Sequence, residues 1–485
     1  TTIFDRIYPE MNIIRSIYFY IQSLLLAILP TSTYIEGVVG QPQSFIPNQA
    51  DTYIEKTISD LIYRGVFKYD IYGATIPDLA DTWTVSEDGL IYTIKLKDNQ
   101  YWNNGKKITA DDLIYTAFKS PELSYVSTDK IDDLTVRFTL PNKYAPFLSL
   151  LVIGVMPVNA EENDNPLMPV SSDDFRVAHV EKSGSFISRI TLVTSSNEYH
   201  LKKLIFNFYP NDEELRTGAK LGEIDGFTSE NACCEDMKTF ENYKYPVQGV
   251  YYALYFNLRN EKLNDIELRR KMLKVLPIED LVYDFGITVQ GPISRSTYTD
   301  KSLPFDIYDE KFEDDLEKLE IQIKVPDEKS HVKLAENILK MWEDNLNIEV
   351  TVVKIDPKEF VDTVINTRDF EVLLYGQEVG RDPDRYVLWH SAQTEPPNLN
   401  LSGFEQIRAD RALEEGRNEL DNDKRIVHYN EFQKVLNEQL PVIFLYHPYM
   451  HHYVSKYIDG IGQKYTFTYW DRFLDFKNWE KISTN

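Results

Sequence analysis

Residues 321–353 constrain the fold more than any other part of the sequence. The segment IQIKV is followed by VKLAENILKMWEDNL and then by IEVTVV. β-Branched residues dominate the outer segments and apolar residues recur at helical spacing in the middle one, so the pattern predicts a strand, a helix and a strand. Such βαβ units build parallel sheets, whose ligand sites lie at the carboxyl ends of the strands. We therefore predict a mixed α/β protein.

Local signals elsewhere agree with that class. Apolar spacing predicts a helix over 53–66, and alternation around the Asp88-Gly89 turn predicts a hairpin over 79–96. Thr109, with Asp111 and Asp112 after it, predicts the cap of a helix over 110–118. Further strands are predicted at 134–140, 187–193, 204–209 and 251–258, and further helices at 266–275, 332–345, 358–365, 404–420 and 424–436.

The charge of the chain narrows the choice of partners. The chain has 485 residues, a length that leaves room for two or three lobes, and its formal net charge is -25. Such a charge repels phosphate groups, so it argues against nucleic acid as a partner and against a position flat on an anionic membrane. The chain also has 32 Tyr. Because a tyrosine ring packs while its hydroxyl hydrogen-bonds, part of this tyrosine is expected to line a half-hydrated groove.

Cysteine and histidine offer no metal site. Cys233 and Cys234 are adjacent, and they match neither a zinc motif nor a disulfide framework. Because a bond between neighbouring cysteines is strained, we expect two free thiols. The eight His show no metal-binding spacing, so we expect neither a metal nor another cofactor.

The sequence argues against an enzyme. It contains no GxSxG, P-loop or GxGxxG motif. The acidic residues Glu378, Asp382 and Asp384 leave a glycosidase with paired carboxylates as an alternative. With 77 acidic residues in the chain, however, clusters of this kind also arise by chance and in structural ion pairs.

An apolar run near the N-terminus indicates the compartment. The run IYFYIQSLLLAIL at 17–29 follows Arg15 and ends before Pro30. It is short for a membrane span and long enough for the core of a signal peptide. We interpret residues 1–33 as a signal peptide or a retained membrane anchor, with a buried core helix as the alternative. The first two interpretations place the remaining chain outside the cytoplasm, and no cysteine follows closely enough to carry a lipid.

Several stretches, taken in order, resemble one protein family. They are PDLADTW at 77–83, SEDGLIYTIKL at 86–96, WNNGKKITADDL at 102–113, LYFN at 254–257, GRDPD at 380–384, WHS at 389–391 and PVIFLY at 441–446. Together they resemble the extracellular solute-binding proteins of family 5, which include the periplasmic oligopeptide- and dipeptide-binding receptors of ABC transporters. The resemblance extends over about 34–479, which is nearly the whole chain after the apolar run.

The resemblance implies a fold and a function. The fold is a two-lobed periplasmic-binding-protein-like α/β fold with an extra inserted subdomain and a hinge that closes the lobes over a ligand. The first lobe would comprise 34–69, 155–250 and 446–485, the inserted subdomain 70–154, and the second lobe 251–445. The chain would be the extracytoplasmic binding component of an ABC importer. It would act as a monomer that captures a small ligand, expected to be an oligopeptide, and delivers it to a membrane permease.

The resemblance also suggests residues for the ligand's charged ends. Peptide binders of this family hold the ligand's ammonium with an aspartate three positions before the D-P pair, and that place is Val379 here. The neighbouring carboxylates Glu378, Asp382 and Asp384 are the candidates to replace it. Arg381 is the candidate partner for a ligand carboxylate, with a surface salt bridge as the alternative.

Four further residues complete the candidate binding site. Glu55 corresponds to an acidic position near the cleft of peptide-binding members, and Tyr252 to an aromatic position that touches ligand in relatives. Tyr375 ends a predicted strand at 370–375, where α/β proteins bind ligands. Trp389 could stack on a ligand, although burial in the core is the stronger alternative. Because Val379 weakens the peptide assignment, a non-peptide ligand such as a sugar or metal complex stays open, as does a membrane-anchored surface sensor.

Overall fold

The computed structural model describes residues 32–70, 74–163, 165–289, 291–294, 308–309, 312, 314, 318–462 and 466–482. The apolar run at 17–29, interpreted above as a signal or an anchor, lies outside the described residues. Within the described part of the chain, no helix has both the length and the apolar character needed to cross a membrane.

Strands and helices alternate along most of the chain. The strands are β1 Thr33–Val39, β2 Phe67–Tyr69, β3 Thr75–Pro77, β4 Ala80–Val85, β5 Ile91–Leu96, β6 Ser127–Asp132, β7 Thr135–Thr139, β8 Phe175–Ser183, β9 Phe186–Thr194, β10 Lys203–Tyr209, β11 Gly226–Ser229, β12 Phe240–Pro246, β13 Val250–Phe256, β14 Gly286–Thr288, β15 Leu319–Pro326, β16 Ile348–Ile355, β17 Val372–Glu378, β18 Val442–Ser455, β19 Ile458–Asp459 and β20 Glu480–Lys481. The α-helices are α1 Tyr53–Ile62, α2 Ala110–Lys119, α3 Phe147–Leu150, α4 Ala160–Asn163, α5 Asp212–Lys220, α6 Ile266–Lys274, α7 Ile278–Val282, α8 Lys329–Leu346, α9 Pro357–Phe360, α10 Tyr386–Trp389, α11 Ile407–Asn418 and α12 Asn422–Gln439. Short 3-10 segments include Tyr469–Phe473, and a π-helical turn, Val361–Ile365, follows α9.

One long strand joins the two halves of the main sheet. The strand order is β16-β15-β17-β13-β18-β11-β1-β10-β9-β8, and β12 and β14 also pair with β18. The first part of β18 pairs with β13 and β14, while its last part pairs with β11 and β12. We call the half around β1 the first lobe and the half around β15 the second lobe. The lobe boundaries proposed from the sequence stay a prediction, and the one at 445/446 falls inside β18.

The sequence-predicted elements are present with shifts of up to four residues at their ends. The helix predicted over 53–66 ends at Ile62, because the backbone becomes extended at Tyr63. The 321–353 unit is β15, α8 and β16, and the two strands are parallel. Helix α2 begins after Thr109, whose side chain and that of Asp112 form a capping box. The hairpin at 79–96 is β4 and β5, which belong with β6 and β7 to a separate four-stranded sheet. The turn in that hairpin places Gly89 at a φ of 72°, which favours glycine.

Each lobe has its own hydrophobic core. In the first lobe, Tyr34, Ile58 and Phe206 pack with the C-terminal residues Phe473 and Trp479, and this core continues into the four-stranded sheet. In the second lobe, separate clusters cover the two faces of the sheet. The chain crosses between these separately packed halves twice, between β12 and β13 and again along β18, which is the construction that lobe movement about a hinge requires.

Two local expectations were wrong. Cys233 and Cys234 form a disulfide rather than two free thiols, because the chain turns at Cys234, which has a φ of 68°, and brings the sulfurs together. Tyr375 does not end its strand, because β17 continues to Glu378. The apolar run at 370–375 therefore marks only part of the strand, which ends at the exposed Glu378.

Candidate functional site

The candidate site is the cleft between the two lobes. Helix α1 and the 3-10 segment Tyr469–Phe473 form its first-lobe wall, and the two elements pack against each other. On the opposite side are Tyr252 of β13 and the end of β17 with the GRDPD loop that follows it. Both walls are rich in aromatic and charged side chains.

The first-lobe wall is built on one face of α1. A capping box of Thr52 and Glu55 fixes the start of this helix. Tyr53, 42% exposed, stacks on Tyr469 with ring centroids 4.4 Å apart. One turn later, the ammonium of Lys56 lies 5.2 Å from the centre of the Trp470 ring. The helix therefore presents a tyrosine and a lysine that are each held against an aromatic ring.

The second-lobe wall centres on Tyr252. Its ring stacks on Tyr446 with centroids 4.9 Å apart and lies 4.7 Å from the ring of His331. It also covers Gly376 of the neighbouring strand, where a Cβ atom would come within 2.8 Å of the tyrosine ring. Glycine at 376 thus permits the close approach of this ring to the sheet.

Two side-chain contacts connect the walls. The Tyr53 hydroxyl donates a hydrogen bond to the exposed carboxylate of Glu378 over 3.3 Å. Farther along the cleft, the guanidinium of Arg381 forms an ion pair with Asp471. Both contacts lie next to the end of β17.

Two carboxyl groups at the cleft, those of Asp60 and Glu230, have raised pKa values. Solvent reaches Asp60 on α1, yet burial by the surrounding protein and the charge of Asp471 raise the pKa of Asp60 to about 7, against an opposing effect of Arg381. Burial and the charge of Glu328 likewise raise the pKa of Glu230, which follows β11. Further negative charge next to either carboxylate is therefore unfavourable.

Several sequence-predicted site residues are fully engaged inside the protein. Glu55 is 2% exposed, and its carboxylate accepts hydrogen bonds from the backbone amides of Gln43, Ser44, Asp51 and Thr52. Trp389 is 1% exposed and packs near Tyr255 in the second-lobe core.

The two aspartates of the GRDPD loop are held by arginines of the second lobe. Asp382 accepts two hydrogen bonds from Arg425, at 2.8 and 2.9 Å. Asp384 accepts from Nε and Nη2 of Arg417, at 2.9 and 2.8 Å. Paired in this way, both carboxylates stabilise the loop that carries Arg381.

The structure brings the predicted site residues Tyr252, Glu378 and Arg381 near the first-lobe wall. Tyr375 pairs with Ala253 and lies on the opposite face of the sheet from Tyr252. Tyr375 is half-buried and stacks on Phe360, with ring centroids 5.4 Å apart. Sequence reasoning missed the first-lobe wall. The spacing of Tyr53, Lys56 and Asp60 on one helix face was a signal that could have found it, whereas nothing local marks Tyr469 or Asp471.

A second cavity lies between the four-stranded-sheet region and the second lobe. It is open to solvent and has a volume of about 580 Å³, and its lining includes Tyr125, Tyr144, Tyr386 and Arg417. The guanidinium of Arg417 lies 4.1 Å from the Tyr386 ring and 5.3 Å from the Tyr144 ring. Because Arg417 is also paired with Asp384, its charge is already compensated.

Residues 74–397 match the model of the bacterial extracellular solute-binding proteins, family 5, middle region. The chain belongs to this family. The match covers the four-stranded sheet and most of the second lobe, and it includes the PDLADTW and GRDPD motifs. The location outside the cytoplasm that the sequence suggested is in accord with a family of extracellular proteins.

Relatives and solved structures extend the likeness over the rest of the chain. The oligopeptide-binding protein AppA of Bacillus subtilis is 22% identical over 88% of this chain and 88% of its own length. The structure of the ABC transporter substrate-binding protein CtaP of Listeria monocytogenes matches with a TM-score of 0.79 at 22% identity, over 93% of this chain and 99% of CtaP. The structure of B. subtilis AppA in complex with a nonapeptide matches with a TM-score of 0.70 at 20% identity, over 93% and 99%. These similarities confirm the predicted two-lobed α/β fold.

Proposed function

We propose that this chain captures a peptide in the cleft between its lobes and delivers it to the membrane permease of an ABC importer. The observation that carries the proposal is the cleft itself, which is lined by tyrosines from both lobes and bridged between Tyr53 and Glu378. AppA, a relative along most of the chain, is an oligopeptide-binding protein whose structure contains a nonapeptide. A cleft that closes over its ligand suits capture and release rather than catalysis, so we expect no turnover of the peptide.

The cleft offers suitable chemistry for an extended peptide. Tyrosine hydroxyls and half-buried rings can hydrogen-bond the backbone and cover apolar side chains, which permits ligands of varied sequence. Glu378 is our candidate for the ligand ammonium, because it is exposed and neighbours Val379, where the family's peptide binders have aspartate. Tyr252 is the candidate for contacts with the ligand from the second lobe.

The route to the working location is part of the proposal. The run at 17–29 would export the chain as a signal peptide or retain it as a membrane anchor. Outside the cytoplasm the protein would act as a monomer that presents its loaded, closed form to the permease.

A thermal-shift screen tests the ligand class. A ligand that binds only the folded protein raises the melting temperature, by an amount that grows with ligand concentration. Separate pools of mixed peptides, sugars and metal chelates should be compared, and only the peptide pools should raise the melting temperature. A shift with sugars or chelates and none with any peptide pool would refute a peptide ligand and favour another solute.

A further inference from the structure

Arg381 joins the lobes through a compact set of contacts. Its guanidinium pairs with Asp471, and the two side chains are 12% and 7% exposed. The guanidinium carbon also lies 4.5 Å from the centre of the Tyr69 ring and 4.7 Å from that of Phe467. These three partners belong to the first-lobe side of the cleft, whereas Arg381 follows β17 of the second lobe. The Arg381 side chain thus extends from its own lobe to a site on the other lobe formed by Tyr69, Phe467 and Asp471, which we call the socket.

The socket is organised independently of Arg381. The Asp471 carboxylate also accepts hydrogen bonds from the backbone amides of Phe467 and Thr468, at 3.0 and 2.9 Å. These bonds fix the carboxylate in its own turn before any guanidinium arrives. A prearranged acceptor loses little conformational entropy when the partner docks, which favours a specific closed arrangement.

The charge of Arg381 also offsets the repulsion between two carboxylates of the first lobe. Asp60 and Asp471 lie on the same side of the cleft, and the charge of Asp471 raises the pKa of Asp60 while that of Arg381 lowers it. Without the guanidinium, the repulsion between these two carboxylates would not be offset. Arg381 therefore compensates the negative charge of both Asp471 and Asp60.

We propose that Arg381 is a latch that stabilises the closed arrangement of the lobes and does not contact the ligand. The inference rests on the proposed function, because it assigns a role in closing the same cleft. A latch acts on the population of closed protein, so its loss lowers the apparent affinity for every ligand by the same factor. A residue that bound the ligand carboxylate would instead affect only ligands that have one.

The test compares two tripeptide libraries that differ only at the C-terminus, one as free acids and one as amides. For Arg381→Ala, we expect the apparent affinity for both libraries to fall by the same factor, about 10- to 100-fold. Arg381→Lys, which keeps the charge and loses the planar ring contacts, should give a smaller loss. Arg408→Ala is the matched control, because Arg408 is exposed and pairs with Glu431 and Glu438 within the second lobe. A loss confined to the free acids would show that Arg381 contacts the ligand, and unchanged affinity would also overturn the latch.

A second variant and a measurement without ligand keep the latch testable if Arg381→Ala misfolds or if the proposed peptide ligand is wrong. Asp471→Asn removes the charge but keeps an acceptor for the turn amides, so it should reproduce the loss and add little to Arg381→Ala in a double variant. By small-angle X-ray scattering without peptide, Arg381→Ala should be more open, with a larger radius of gyration than Arg408→Ala. Equal radii would overturn the latch even if neither library binds, whereas failure of both libraries to bind wild-type protein contradicts only the proposed peptide ligand.

Discussion

Glu36 is a buried charge whose removal should measurably weaken the first lobe. It lies on β1, is 0% exposed, and accepts hydrogen bonds from Tyr34 at 2.6 Å and from Arg472 at 3.1 Å. Arg472 belongs to the 3-10 segment that also carries Tyr469 and Asp471 of the cleft. The substitution Glu36→Gln keeps the shape of the side chain and removes its charge, leaving Arg472 buried without a carboxylate.

Two arguments give similar magnitudes for the free energy of unfolding that Glu36→Gln should remove. Burial alone would raise the pKa of Glu36, but the charges of His452 and Arg472 and hydrogen bonds from His452 and Tyr34 lower it to about 2 from an ordinary 4.5. That difference corresponds to about 3 kcal/mol of stabilisation of the folded state. Removing one partner of a buried ion pair typically costs about 3–5 kcal/mol. For a folding unit of roughly 200 residues, a loss of about 3 kcal/mol lowers the melting temperature by about 6–12 °C.

The pH dependence separates this explanation from a packing defect. A lowered carboxyl pKa stabilises the fold fully above about pH 4.5, and the stabilisation is lost as pH falls towards 2. The difference in melting temperature between wild type and Glu36→Gln should therefore shrink to less than half between pH 7 and pH 3. Glu213→Gln, at an exposed position on α5, is the control and should melt like wild type. A difference that is constant with pH, or smaller than about 2 °C at pH 7, would refute the reasoning.

Three further substitutions test the assignment of side chains to core, cleft and loop. Trp479→Ala should lower the melting temperature by several degrees, because this indole is 0% exposed and truncating a buried tryptophan costs about 3–5 kcal/mol. Trp470→Ala, at a half-buried position in the cleft, should lower the melting temperature far less. Equal effects of the two tryptophan variants in differential scanning calorimetry would contradict the described packing. Asp382→Asn should also destabilise the protein by calorimetry, since it removes the carboxylate from a bidentate pair with Arg425. If it instead abolished peptide binding without changing the melting temperature, Asp382 would be a ligand contact.

Local sequence patterns predicted most of the secondary structure. The capping box at Thr109, the Asp88-Gly89 turn and the βαβ unit at 321–353 each depend on residues close together in the chain, so their signals can be read without the fold. The same holds for the family, since its motifs are short and ordered. The vicinal cysteines escaped this reasoning, because whether two adjacent sulfurs meet depends on the backbone turn at Cys234.

The partners of the charged site residues could not be predicted in the same way. Arg381 pairs with a residue 90 positions away, Asp382 with one 43 positions away, and Glu36 with one 436 positions away. The motif GRDPD therefore marked the loop after β17 but did not distinguish the arginine that reaches the other lobe from the aspartates that hold the loop in place. Only the three-dimensional arrangement separates these roles, because identical charged residue types serve both.

Hydrogen–deuterium exchange with and without a saturating peptide pool tests the central claim most directly, because it reports each lobe separately. The account predicts slower exchange in segments from both lobes at once: in α1 and residues 467–473 on one side, and in residues 376–382 on the other. The same peptides should leave exchange around Tyr125 and Tyr144, at the second cavity, unchanged. Protection confined to one lobe, or centred on that second cavity, would contradict capture of the ligand in the cleft between the lobes.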